Sequence, residues 1–173
     1  MERIKFVALI ILLPVLLVSC AHSGMALDYE ALPFTARFAL SANGINIMGT
    51  ITAGALTDTP RDVCITFESP ESLSGISVER KDSNITTTLD GISLPSESSR
   101  WLDIAELFTL GGAVSSAKSE SLGGVSCSLV TVTAKNGEKY SVYIDKTGQP
   151  LRICGKLWGE AFTLDVIFFR QDV

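Results

Sequence analysis

From Pro33 onward the apolar residues recur at every second position, and this period dictates what the chain can build. Phe34, Ala36, Phe38 and Leu40 alternate with Thr35, Arg37, Ala39 and Ser41. A strand sends successive side chains to opposite faces, so such a segment buries one face and wets the other. Asn43-Gly44 follows, a dipeptide suited to a two-residue hairpin turn, and Ile45, Ile47, Gly49, Ile51 and Ala53 continue on the return arm. Further strands are predicted over residues 63–67, 76–81, 84–90, 117–122, 125–134, 139–145, 150–158 and 161–170. Their connections are short and rich in glycine (Gly123-Gly124, Asn136-Gly137, Lys146-Thr147-Gly148, Gly159), which makes consecutive strands antiparallel neighbours. Roughly ten strands strain a flat sheet, so it should curl into an open half-barrel or split into a sandwich.

One stretch departs from this period. Residues 91–99 are Ser-rich, contain Pro95 and read as a loop. Over residues 99–110, Trp101, Ile104, Ala105 and Phe108 recur at helical spacing, with Asp103 and Glu106 on the other side. Ser98 or Ser99 can cap the start of that helix and Gly111 can end it. The predicted fold is therefore mainly β (α+β): a curved antiparallel sheet covered by one main helix. Trp101, Phe108, Phe34, Phe38, Phe67, Phe162, Leu164 and Phe168 are expected to share its interior.

The N-terminus has its own pattern. Arg3 and Lys5 precede an apolar run from Phe6 to Val18, broken by Pro14. The run is shorter than the roughly 20 residues a membrane-spanning helix needs, and a charged start with a short apolar stretch is the pattern of a signal peptide. Leu17-Val18-Ser19-Cys20 resembles the bacterial lipobox. That resemblance implies cleavage before Cys20, a diacylglyceryl thioether on its sulfur, and anchoring at the extracytoplasmic face of a cell membrane. The expected organisation is a signal peptide over residues 1–19, a lipidated tether over 20–32 and one domain over 33–173.

Removal of residues 1–19 leaves 12 basic and 18 acidic residues, a formal charge of −6. An acidic surface disfavours nucleic acid, whose phosphates demand Lys and Arg. Cys64, Cys127 and Cys154 remain in the domain. Either a Cys64–Cys154 bridge or free thiols fit an envelope setting. The lone histidine, His22, falls in the tether, so the domain offers neither a nucleophilic triad nor a histidine-containing zinc site. Asp103 and Glu106 read as a solvated face of the helix. Neither an enzyme nor a cofactor is expected.

The order of elements resembles the LolA/LolB-like superfamily of lipoprotein-sorting and related envelope proteins. The resemblance covers most of residues 33–170. It rests on the N-terminal hairpin, the stretch Ile65-Thr66-Phe67-Glu68-Ser69-Pro70-Glu71-Ser72-Leu73-Ser74-Gly75, the mid-chain helix and the closing meander. Ile144-Asp145-Lys146-Thr147-Gly148-Gln149-Pro150-Leu151-Arg152-Ile153 is similar to that superfamily's penultimate hairpin. The superfamily's long N-terminal helix has no counterpart here. The resemblance implies a half-barrel with an apolar interior able to take a lipid or acyl ligand, for which Phe38, Phe67, Trp101, Ile104 and Phe108 are the candidate lining. The alternative is a structural or protein-interaction lipoprotein with a packed core and no small ligand, its Ser-rich loops or sheet edge docking a partner.

Overall fold

The computed structural model describes residues 27–56 and 60–172. Eleven strands form a single antiparallel sheet: β1 (Phe34–Ala42), β2 (Ile45–Ala53), β3 (Val63–Ser69), β4 (Ser77–Lys81), β5 (Asn84–Leu89), β6 (Ile92–Ser96), β7 (Ala113–Leu122), β8 (Val125–Thr133), β9 (Lys139–Ile144), β10 (Pro150–Leu157) and β11 (Glu160–Gln171). Their order is β6-β5-β4-β3-β2-β1-β11-β10-β9-β8-β7. The sheet is unclosed, with β6 and β7 as its two edges. These edge strands are consecutive in sequence, so the chain between them must cross from one border to the other. The single helix among the described residues, α1 (Leu102–Glu106), lies in that crossing.

The alternation read in the sequence appears as burial. Phe34, Ala36, Phe38 and Leu40 of β1 are fully buried, as are Ile51, Ile65, Phe67, Val78, Val132, Val142, Ile153 and Leu164. Each large apolar side chain of this kind contributes about 1.5–3 kcal/mol on leaving water. Gly49 on β2 lies opposite Phe38 on β1. A Cβ there would stand 2.6 Å from the Thr66 carbonyl oxygen and 3.1 Å from the Phe38 ring. The missing side chain is what lets the ring lie across the sheet.

Several expectations are corrected. The helix predicted over residues 99–110 is regular only over Leu102–Glu106, and Trp101, at its N-cap position, makes no side-chain capping bond. Around it the backbone closes tighter turns: Asp103 N–H donates to Arg100 O, Ile104 to Trp101 O and Thr109 to Glu106 O. Burial also extends beyond the predicted stripe, to Leu102, Leu107 and Leu110. A segment packed on several sides does not need to be a long amphipathic helix, so one main helix does not cover the sheet. Residues 92–96, read as loop, form β6. Pro95 is tolerated there because β6 is an edge strand and only one side of it is hydrogen-bonded.

Phe168 is half-exposed and its neighbour Phe169 is buried. The pairing of β1 with β11 steps from Arg37↔Phe168 to Phe38↔Val166, which leaves Ile167 as an extra residue. This bulge reverses the inward phase for the rest of the strand. Cys64, Cys127 and Cys154 are free thiols. Cys64 on β3 and Cys154 on β10 have β2, β1 and β11 between them. At about 4.8 Å per strand they are roughly 19 Å apart, far beyond disulfide reach.

The packed domain extends back to Leu27, into the stretch read as tether. Leu27, Tyr29 and Glu30 are buried, the last two in a 3-10 turn over Asp28–Glu30. Tyr29 meets Phe169 edge to face, with ring centroids 5.8 Å apart. Cys20 and the predicted signal peptide lie outside the described residues.

Candidate functional site

The segment around α1 separates two environments. On one side, Ile104 and Phe108 enter the apolar cluster with Phe34, Phe38 and Phe67, all at most 1% exposed. Phe108 and Phe34 are 5.6 Å apart between centroids. On the other side lies a cleft of about 830 Å³. Its apolar wall comes from Leu107 and Leu110 after the helix, Tyr140 of β9, Leu157 of β10, Trp158 of the following turn, and Leu56.

Charged residues from several parts of the chain complete the wall. Glu30 comes from the N-terminal turn, Arg61 from the residues just before β3, Arg80 from β4, and Asp103 and Glu106 from α1. Lys135 and Glu138 come from the β8–β9 turn, and Lys156 from β10. Some of these charges are already engaged. Arg80 Nη1 donates to Glu106 Oε1 at 2.8 Å, and Trp158 Nε1 donates to Asp103 Oδ2 at 2.8 Å. The second bond ties the β10–β11 turn to the helix. Gly155 permits the approach of Tyr140, since a Cβ there would come within 2.5 Å of the Tyr140 ring.

Glu30 and Arg61 are the buried charged residues of the described chain. Arg61 Nη2 donates to the carbonyls of Glu30 (2.6 Å) and Leu32 (2.9 Å) and so fastens the N-terminal segment to the domain. Its guanidinium carbon lies 5.2 Å from the centroid of the Phe34 ring, a cation–π contact. Arg61 Nε and Nη1 have no hydrogen-bond partner among the described residues. Glu30 Oε2 accepts from the Gly111 N–H at 3.2 Å, whereas Oε1 has no such partner.

Burial pushes the Glu30 carboxyl above its ordinary value, against the backbone N–H of Gly111 and the nearby cations Arg61 and Lys135. Burial likewise lowers Arg61, with Glu30 and Glu106 opposing it. The Tyr29 hydroxyl is raised well above its ordinary value by burial and then by Glu30.

The residues predicted to line a ligand cavity sit elsewhere. Phe38, Phe67, Ile104 and Phe108 are sealed in the apolar cluster, and none of the five predicted residues belongs to the cleft wall. Trp101 is half-buried at the border. It packs edge-on against Phe67 (5.0 Å) and against Trp158 (5.8 Å), so an aromatic chain leads from the cleft into the core. Sequence reasoning missed Glu30 and Arg61. Each is an isolated charge in a segment without periodicity, and only the folded chain brings them together.

Neither a known family model nor a curated protein matches the sequence. Solved structures do match the fold. An uncharacterized conserved protein from Thermus thermophilus is 14% identical, with 84% of this chain and 82% of that one covered and a TM-score of 0.51. LprF from Mycobacterium bovis is 10% identical over 84% of this chain and 89% of that one, with a TM-score of 0.50. The LolA superfamily protein NE2245 from Nitrosomonas europaea is 11% identical over 84% and 87%, with a TM-score of 0.42. At such identities the likeness concerns the fold alone.

Proposed function

We propose that this chain is a non-enzymatic cell-envelope lipoprotein, anchored through Cys20, that holds a lipid or other apolar ligand against its half-barrel. The observation that carries the reading is the cleft beside α1: about 830 Å³, with an apolar wall and a charged border. A space of this size falls in the range of small-molecule sites. Geometry connects the cleft with the anchor. Residues 21–26 separate Cys20 from Leu27, and at about 3.5 Å per residue they reach roughly 25 Å at most. Glu30, three residues further on, is part of the cleft wall. An acylated Cys20 therefore holds the cleft close to a bilayer that supplies ligand. Phe38, Phe67, Trp101, Ile104 and Phe108 form the inner seat, which a long acyl chain reaches past Trp158 and Trp101 when the short helix gives way.

Two measurements test this. Cys20→Ala should move the protein from the membrane fraction to the soluble one or leave its signal peptide uncleaved, and a mutant that is both cleaved and membrane-bound like the wild type would refute the anchor. Native mass spectrometry of the full chain purified from membranes should retain a non-covalent lipid. Its reproducible absence would favour the second reading, a protein-interaction lipoprotein. That reading draws on the sealed core and on the exposed Ile92 and Leu94 of the edge strand β6.

A further inference from the structure

We propose that Arg61 and Glu30 form a seat for the acidic head group of an amphiphile, a carboxylate or phosphate monoester, whose chain lies along the apolar wall of the cleft. The inference rests on the reading of the cleft as a lipid site and adds the chemistry of the ligand's polar end. It starts from an imbalance. Arg61 is only 4% exposed, yet its Nε and Nη1 have no partner among the described residues. A buried donor left unpaired costs far more than an ordinary hydrogen bond returns. The Phe34 ring offsets part of the charge, but its face is a poor substitute for an oxygen acceptor. Glu30 Oε1 is equally without a partner. Both side chains belong to the cleft wall.

An acidic head group satisfies the free Arg61 donors: its oxygens accept from Nε or Nη1, and Glu30 borders the same seat. Burial raises the Glu30 carboxyl above its ordinary value, which weakens its repulsion of an anion beside it. A neutral alcohol can also accept from Arg61, but its bond lacks the charge assistance of an anionic oxygen. Lys135 and Lys156 line the same cleft and form no ion pair among the described residues. They add a positive approach to the seat. Charge-assisted bonds to a buried guanidinium are the strong ones, and losing them costs at least about tenfold in affinity.

The test compares one chain length with three heads. Full-length protein in a non-ionic detergent is titrated with palmitate, hexadecyl phosphate and hexadecanol, with occupancy read by native mass spectrometry. One of the two acids should bind at least about tenfold more tightly than the alcohol, and which of them does so identifies the head. Arg61→Gln should abolish that preference. If this variant fails to fold, the wild-type comparison still decides, and Lys135→Gln with Lys156→Gln should narrow the preference by about threefold. Equal binding of acid and alcohol overturns the seat and leaves the lipid reading standing. A preference that survives in folded Arg61→Gln overturns the assignment to Arg61. Binding of none of the three overturns the lipid reading and the seat together.

Discussion

The two sides of the α1 segment face different physics. Toward the sheet, Ile104 and Phe108 join an apolar cluster that water does not reach. Toward the β9–β10 border, Leu107 and Leu110 share a wall with Arg61, Glu30, Lys135 and Trp158. A short, irregular segment thus closes a dry core with one face and opens a mixed cleft with the other. Stability rests on the first side and ligand entry on the second, so a mutation should act first on whichever side it touches.

The largest effect is expected from Phe108→Ala. It empties a fully buried aromatic site that contacts Phe34 and should cost about 3–5 kcal/mol in denaturant unfolding. A cost near ~1 kcal/mol would mean that the core is less tightly closed than the contrast requires. Gly49→Ala comes next. Its methyl group meets the Thr66 backbone at 2.6 Å, and overpacking of this kind costs about 1–3 kcal/mol. No destabilisation at all would show that the Thr66 backbone and the Phe38 ring can both yield.

Trp158→Ala tests the other side. Trp158 is 41% exposed and holds the β10–β11 turn to α1 through Asp103. Its loss should cost roughly 1 kcal/mol of stability, yet reduce lipid occupancy severalfold in native mass spectra. A large stability loss with unchanged lipid binding would reverse the assignment of roles.

The smallest effect is a pH slope. A carboxyl whose pKa is higher folded than unfolded holds its proton more tightly in the native state. Stability contributed by Glu30 is therefore lost as pH rises from about 4.5 through the raised folded value, and the loss persists above it. Glu30→Gln keeps an acceptor for the Gly111 N–H and removes the titration. Its thermal midpoint relative to wild type should rise between about pH 4 and about pH 7. A difference independent of pH would contradict a buried, raised Glu30.

Much of the sheet was legible because burial on one face imposes a period of two. Phe34, Phe38, Ile51 and Ile65 all follow that period. The failures arose where a nonlocal constraint overrode it. The bulge at Ile167 is set by pairing with β1 and has no local signature, so the period alone puts Phe168 inward where the structure puts Phe169. The position of β6 at a sheet edge made Pro95 acceptable in a strand, and edge position is a property of topology. The apolar spacing from Trp101 to Phe108 correctly marked a buried segment, but burial on several sides replaced the long helix it suggested. The cleft was the least legible feature. Glu30 and Arg61 are 31 residues apart, and nothing near either of them in sequence signals the other.

The most direct test of a ligand-taking cleft is a two-dimensional NMR titration of the full chain with palmitate. The protein has two tryptophans, so each indole N–H is a resolvable reporter. The indole signal of Trp158 and the amides of Leu107, Leu110 and Gly111 should shift together and saturate, while Val78, buried in β4 and absent from the cleft wall, should stay in place. Shifts confined to the β6 edge, or none at all in excess ligand, would contradict the account.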